Sequence, residues 1–307
     1  MNLEKSLILA VLAAAISYLI TPISIPLCRA VGAIDMPDGI RKVNTLPTPR
    51  LGGLGFFLSS LIVLFPYVKE SEAVAAMLSG GAILMAGGVA DDTFNLSPIY
   101  KFFIQGAAAL VSLSFIGIPE ELTFFGVFSI PLYGTLGFLI AFFRLIFTVN
   151  AVNFSDGLDG LASGLSVVAL LSLSLYGLRS GRVYPAFASL ILAAAVIGFS
   201  PFNKYRAKVF MGDCGSQFLG LSIALLSLGN SPRGSFTLET TLFLAVPLID
   251  TTFAVIRRLL RGKSPFTADK GHLHHLLLSL GIPHPFAVKI LVTVSALIAS
   301  VALLFAL

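Results

Sequence analysis

Residues 150–164 read NAVNFSDGLDGLASG. The stretch carries Asn150, Asn153, Asp156, Asp159 and three glycines, while its flanks are almost wholly Leu, Ile, Val, Ala and Phe. A polar island between two apolar runs needs a reason. A helical reading from Ser155 onward puts Asp156 and Asp159 three apart on one face, with Gly157, Gly160 and Gly164 admitting a close backbone or ligand. Two neighbouring carboxylates repel, so a cation or bound ligand is expected to relieve them. At this point the stretch reads as a metal-assisted site at a membrane surface.

Composition sets the solvent. Of 307 residues, 56% are hydrophobic and 11% charged, with 26 Phe. Soluble domains average about a quarter charged residues, so the expectation is a multi-spanning membrane protein. The net charge of +5 points to no nucleic-acid partner; its distribution reports membrane orientation instead. Cys28 and Cys214 form no disulfide framework, and Cys28 reads as a small filler at a helix end. The run Leu7 to Leu27 is too long for a signal-peptide core, Glu4 offsets Lys5, and no cleavage site precedes the basic loop, so it reads as an uncleaved first span.

A spanning helix needs roughly 20 mainly apolar residues. About ten such runs occur, near 6–28, 51–68, 73–90, 99–117, 135–150, 160–178, 185–200, 216–230, 238–258 and 286–305. The expected fold is therefore an all-α integral membrane protein with about ten transmembrane helices and one domain over 1–307. The segment LTFFGVFSIPLYG from Leu122, rich in aromatic and turn residues, reads as a short hairpin or surface turn before the fifth span. Most Lys and Arg residues, among them Lys42, Arg50, Lys101, Lys204, Arg257, Arg258 and Lys270, fall in loops joining odd to even spans. The positive-inside rule places those loops in the cytoplasm and both termini outside a plasma (inner) membrane. All polar islands lie on that cytoplasmic side.

Asp91 and Asp92 close the third run after MAGGVA. Acids suit a helix C-terminus poorly because the dipole there is negative. Adjacent residues also point different ways, so one is expected on a metal and the other on a substrate. Asp213, in FMGDCGSQ, precedes the eighth run, where Gly212, Gly215 and Ser216 offer backbone N–H groups that suit phosphate. The plain alternative is N-capping by Asp213 or Ser216. His272, His274 and His275 form HLHH beside Arg257, Arg258, Arg261, Lys263 and Lys270. This setting favours phosphate contact over a zinc-type site, with a lipid-anchoring basic surface as the alternative. Asp250 lies inside the ninth run, where a charge costs about 2.5–3.5 kcal/mol at mid-membrane. It reads either as a structural polar contact or as support for the site. One Mg²⁺ takes one or two protein carboxylates and completes its shell with water and phosphate oxygens. Asp91, Asp92, Asp156, Asp159 and Asp213 therefore cannot all be ligands.

The blocks RKVNTLPTPRLGG, GGVADDTFNLSP, NAVNFSDGLDGLASG, FMGDCGSQFLG and SPFTADKGHLHH, in this order, closely resemble those of the polyprenyl-phosphate N-acetylhexosamine-1-phosphate transferases, glycosyltransferase family 4. Within it, HLHH is similar to the branch that primes O-antigen, enterobacterial common antigen and teichoic acid. The resemblance implies Mg²⁺-dependent transfer (Mn²⁺ as a substitute) of a sugar-1-phosphate from a UDP-sugar to undecaprenyl phosphate, releasing UMP. UDP-N-acetylglucosamine is the commonest donor of the branch, and a homodimer is implied by analogy. It also implies Asp213 as a metal ligand, and Asp91 and Asp92 in acceptor activation, with Asp92 contacting the metal. Asn153, Asp156 and Asp159 would line the nucleotide-sugar site, and Phe210 would stack on uracil. His272, His274 and His275 would hold phosphate or sugar, and Lys42, Arg50 and Lys270 would contact substrate. Many relatives read RKVH where this chain has Asn44, which puts a first-loop histidine role in doubt. Two other classes compete. A transporter or channel predicts ionisable groups along a path through the membrane, and an intramembrane aspartyl protease needs two aspartates inside facing spans, where Asp250 is the one candidate.

Overall fold

The computed structural model describes residues 3–37, 46–231, 235–264 and 271–306. In chain order they form α1 (Leu3–Val31), β1 (Ile34–Asp35), β2 (Thr48–Pro49), α2 (Gly53–Leu64), α3 (Glu72–Phe94), α4 (Pro98–Ile116), β3 (Glu121–Phe124) and β4 (Phe128–Pro131). There follow α5 (Thr135–Phe154), α6 (Leu161–Arg179), α7 (Val183–Asn203), α8 (Gly212–Asn230), β5 (Ser235–Thr237), α9 (Leu238–Leu242), α10 (Ala245–Leu260), α11 (Leu273–Ser279) and α12 (His284–Phe305).

Among the described residues seven helices, α1, α3, α4, α5, α6, α7 and α12, are long and apolar enough to cross a membrane. The three other expected runs also fall on helices. The second is a 12-residue α2 continued by a 3-10 turn at Phe65–Tyr67. The eighth is the 19-residue α8. The ninth is broken into α9 and the 16-residue α10, because Pro247 suits only the first turn of a helix and starts a new one there.

The core is built around α8, in which every residue except Asp213 and Leu228 is buried. Helices in lipid gain little from burying Leu against Leu, so close approach of backbones through small residues decides the packing. Two glycines show it. A Cβ on Gly88 of α3 would overlap the Cα of Cys214, and one on Gly220 of α8 would stand 2.6 Å from the Cα of Val149 in α5. The same logic turns α1 inside out. Its buried stripe is Ser6, Ala10, Ala13, Ser17, Thr21, Ser24 and Cys28, whereas Leu7, Val11, Leu19 and Ile23 are exposed. Ser59 of α2 donates to Ala13 O across that seam at 2.6 Å. Cys28 is a buried free thiol.

Two small sheets accompany the helices. β1 pairs antiparallel with β2, Ile34 opposite Pro49. The expected hairpin before α5 is present as β3 and β4, with Leu122 opposite Ile130 and the rings of Phe124 and Phe128 stacked at 4.5 Å. β5 adds to it in parallel through the register Leu122 to Phe236. This three-stranded sheet follows the C-terminal end of α8, so it lies at the end of the bundle away from Gly212.

One local expectation is corrected. Residues 155–160 are turns rather than the start of a helix: α5 ends at Phe154 and α6 begins at Leu161, after Gly160 at φ +79°. Glycine enters this left-handed conformation without a Cβ penalty, and the break frees Asp156 and Asp159 from a common helical face.

The packing argument is testable by thermal unfolding of the detergent-solubilised protein. Gly88→Val should destabilise it by about 1–3 kcal/mol or more through overpacking. Gly106→Ala, whose Cβ would meet only the Phe142 ring at an ordinary 3.6 Å, should leave the midpoint unchanged or raise it.

Candidate active site

Four helix ends converge. The last turn of α3 supplies Asp91 and Asp92, the first turn of α4 Lys101, the end of α5 Asn153, and the first turn of α8 Asp213 and Ser216. Asp92 settles why an acid pair closes α3. Its Oδ1 accepts from the Asp213 backbone N–H at 3.0 Å and its Oδ2 from that of Cys214 at 3.1 Å. The carboxylate thus caps α8 from another helix, where the dipole is positive and the N–H groups lack partners. Arg50 Nε stands 3.2 Å from Asp92 Oδ1. The capping expected of Asp213 or Ser216 is therefore performed by Asp92. With both oxygens engaged by N–H donors, Asp92 is built as a clamp.

The approach is tight. Gly212 has φ +72°, and a Cβ there would strike Arg50 O and stand 2.5 Å from Asp92 Oδ2. The 49–53 segment is stitched to the same strand of chain: Phe210 N donates to Pro49 O at 2.8 Å, Gly52 N to Phe210 O at 2.9 Å and Gly53 N to Met211 O at 3.0 Å. These bonds hold half-buried Phe210 and Arg50 beside α8. Burial pulls the Arg50 pKa down, but Asp92, Asp213, Asp35 and Asp91 outweigh it and leave the group above its ordinary value.

Asp91 and Asp213 point at one cation. Lys101 Nζ contacts Asp91 Oδ2 and lies 2.8 Å from Asp213 Oδ2. Asp91 Oδ1 also accepts from Leu96 N at 2.8 Å. Asn153 Nδ2 donates to Asp213 Oδ1 at 2.9 Å and to Ser216 Oγ at 2.8 Å. Among the described residues no three His, Cys, Asp or Glu side chains are grouped as a metal cage. Two carboxylates converging on a single positive charge, with oxygen-only donors, do fit a hard divalent cation that keeps its waters and phosphate oxygens. Asp213 and Asp91 are the residues placed to hold one.

The opening stretch divides. Asp156 is close enough to Asp213 and Asp92 for their charges to act on it, and burial first, then those charges, push its pKa well above the ordinary carboxylate value. Asp159 turns away, its Oδ2 accepting from Ala207 N at 3.0 Å. The HLHH stretch reaches the same turn as part of the short helix α11. A Cβ on Gly157 would overlap His274 Nε2, so the glycine is the seat of that ring. His274 is buried, and burial together with His275 and His272 lowers its pKa to about 4. At neutral pH it is an uncharged hydrogen-bonding group. His272 packs on Phe154 at 5.8 Å and on His274 at 5.7 Å, and His275 stands 4.3 Å from His274. Lys42 and Lys270, like Asn44, lie outside the described residues.

An apolar cavity of about 660 Å³ runs along α5 from Phe143 to Phe154, the neighbour of Asn153. Asn150 and Phe154 of α5 line it together with Phe102 of α4 and Leu248, Thr251 and Val255 of α10.

Residues 74–230 match the glycosyl transferase family 4 profile. A Bacillus subtilis protein described as a probable undecaprenyl-phosphate N-acetylglucosaminyl 1-phosphate transferase is 36% identical over 305 residues, 94% of this chain and 83% of that one. The chain belongs to glycosyl transferase family 4. A decaprenyl-phosphate N-acetylglucosaminephosphotransferase of Mycobacterium tuberculosis is 34% identical over 94% of this chain and 80% of its own length. An Escherichia coli undecaprenyl-phosphate alpha-N-acetylglucosaminyl 1-phosphate transferase is 29% identical over 90% and 77%. The matched region of this family 4 chain runs from α3 to the end of α8 and so contains Asp91, Asp92, Lys101, Asn153 and Asp213 but not HLHH.

One contributor escaped the sequence reading. Lys101 was legible only as one loop cation among many, and its place between Asp91 and Asp213 depends on α3 and α4 meeting α8. Asp250, expected as a polar contact or as support for the site, has His272 as its partner.

Asp156 gives a pH prediction. A carboxyl group with a raised folded pKa stabilises the fold fully below its unfolded pKa of about 3.9, and that stability is lost as pH rises through the folded value. Relative to the wild type, Asp156→Asn should therefore gain stability as pH rises from 4 and be the more stable protein at pH 8, read as the difference between the two unfolding midpoints across that range.

Proposed function

We propose that the chain transfers N-acetylglucosamine-1-phosphate from UDP-N-acetylglucosamine to undecaprenyl phosphate, releasing UMP, as the first step of a cell-envelope polysaccharide. The observation that carries the proposal is the Asp91–Lys101–Asp213 cluster at the N-terminus of α8, with an apolar cavity along α5. Both reactants are phosphates, so charge opposes their meeting and cations must gather them. Bound Mg²⁺, or Mn²⁺ in its place, would be held by Asp213 and Asp91 and would supply positive charge to the diphosphate.

The residues take distinct roles. A phosphate oxygen of the acceptor attacks the β-phosphorus of the donor. The bond from that phosphorus to the oxygen bridging it to the α-phosphate breaks, and UMP leaves with that oxygen. The acceptor phosphate is already an anion near neutral pH, so no strong base is required. Lys101 and Arg50 provide fixed positive charge at the α8 end. Asn153 holds Asp213 by its Oδ1 and leaves the carboxylate pointing at the reacting groups. Asp92 keeps the helix end in place, and Asp156, costly to ionise beside Asp213, is relieved when a cationic ligand arrives. The polyprenyl chain lies in the cavity between α4, α5 and α10, whose wall is mainly Phe, Leu, Ile and Val. The uridine rests near Phe210, and the basic end of α10 with the histidines faces the sugar-phosphate.

This reading carries the finer topology with it: ten spans, both termini outside, and the site on the cytoplasmic face of the plasma membrane. The relation to phosphotransferases gives no support to a transporter.

The test is incubation of purified protein with undecaprenyl phosphate, sugar-labelled UDP-sugars and Mg²⁺. Label from UDP-N-acetylglucosamine should enter the lipid fraction with equimolar UMP, chelation should stop it, and Asp213→Asn should lower turnover by roughly a hundredfold or more. A folded protein that labels lipid from none of the donors would overturn the proposal. For topology, a cysteine at exposed Gly262 should be labelled only from the cytoplasmic side and one at Val127 only from outside.

A further inference from the structure

Asp250 is a buried carboxylate of α10, seven residues before Arg257 and eight before Arg258. Its Oδ2 lies 2.9 Å from His272 Nδ1, and its Oδ1 accepts from the Leu273 backbone N–H at 2.9 Å. Both bonds go to the first residues of α11. One carboxylate therefore does two things: it caps a seven-residue helix and fixes one edge of an imidazole.

An ionised carboxylate only accepts hydrogen bonds. Facing it, His272 must carry a proton on Nδ1, which leaves Nε2 as the ring atom that accepts. The surroundings hold that edge in a single direction. The ring lies between Phe154 at 5.8 Å and His274, whose plane is only 8° away. Nε2 is 3.5 Å from Arg258 Nη2, and the Arg258 guanidinium is 5.6 Å from the centre of the Phe154 ring. Phe154 adjoins Asn153, which grips Asp213. The imidazole edge so defined is buried beside a guanidinium and packed on Phe154, the neighbour in α5 of the residue that grips Asp213.

We propose that Asp250 is a positioning residue for the transfer: it locks His272 in the Nδ1–H form and aims the Nε2 acceptor at the O–H and N–H groups of the donor's sugar, beside Arg258, whose guanidinium suits the phosphate. The inference rests on the reading of the site as one for a UDP-sugar, but the tautomer it requires does not. Asp250 itself touches no substrate. Its effect passes entirely through His272, and that is the property to measure.

Asp250→Asn is the informative change. The amide oxygen still caps Leu273, while its NH₂ turns a donor toward Nδ1, so the ring must carry its proton on Nε2 instead. The chain has only four histidines, so ¹⁵N NMR of histidine-labelled protein in nanodiscs can follow each ring, with His272→Ala giving the assignment. The expected result is an Nδ1–H tautomer for His272 in the wild type and an Nε2–H tautomer in Asp250→Asn. The same preparations should show kcat/KM for UDP-N-acetylglucosamine down roughly ten- to a hundredfold, with the unfolding midpoint little changed. In the His272→Ala background Asp250→Asn should cost nothing further. An unchanged tautomer in Asp250→Asn, or a loss of activity that adds fully to that of His272→Ala, would overturn the inference. A wild type with the expected tautomer but no transferase activity would overturn the proposed function and leave the Asp250–His272 geometry standing.

Discussion

The structure depends on one contact, the Asp92 carboxylate against the N-terminus of α8. A helix buried on nearly all sides ends there, in a place where water cannot serve its first N–H groups, and an unpaired buried amide costs on the order of 1–3 kcal/mol. Asp92 accepts from two of them and holds Arg50 at the same time. Because the cap comes from α3, it fixes the height of α3 against α8, and Gly88 over Cys214 fixes their separation. Everything charged at this end, Asp91 and Lys101 on one side and Asn153 on the other, is placed by that docking. The negative end of α3 and the positive end of α8 meet, so an arrangement unfavourable in one helix becomes favourable between two.

The same geometry explains how several acids share a small volume. Each has a different partner: Asp92 has backbone amides and Arg50, Asp91 and Asp213 share Lys101, Asp159 takes the Ala207 amide, and Asp250 takes His272. Asp156 lies buried within reach of the negative charge of Asp213 and Asp92, and burial first, then those charges, make its ionisation costly. A site prepared in this way has cations fixed near one carboxylate pair and a further acid awaiting relief. Such an arrangement favours a ligand that brings both a metal and phosphates.

Much of this was legible in the sequence because membrane helices advertise themselves. All ten apolar runs fall on helices, seven of them long and apolar enough to cross a membrane and one broken in two, and the LTFFGVFSIPLYG segment is the hairpin that its aromatic and turn residues imply. The polar islands announced the site because an acid among Leu and Phe has no other business there. What could not be read was direction. The spacing of Asp156 and Asp159 looked helical, but Gly160 sits at positive φ and the two acids part. That Asp92 also caps α8 could not be read, because whether a carboxylate reaches a helix end depends on which helix docks beside it. Lys101 was invisible for the same reason, as it belongs to Asp91 and Asp213 only once three helices have met. HLHH read as loop, yet Asp250 gives it a capped start and three of its residues, Leu273, His274 and His275, are helical.

The account stands on the claim that the chemistry is attack on the β-phosphorus of a nucleotide sugar and not on the anomeric carbon. UDP-N-acetylglucosamine carrying ³²P in the β-phosphate separates the two. If the account is right, all of the label passes to the lipid diphosphate and the released nucleotide is unlabelled UMP. Label leaving as UDP, with an unlabelled lipid, would contradict it.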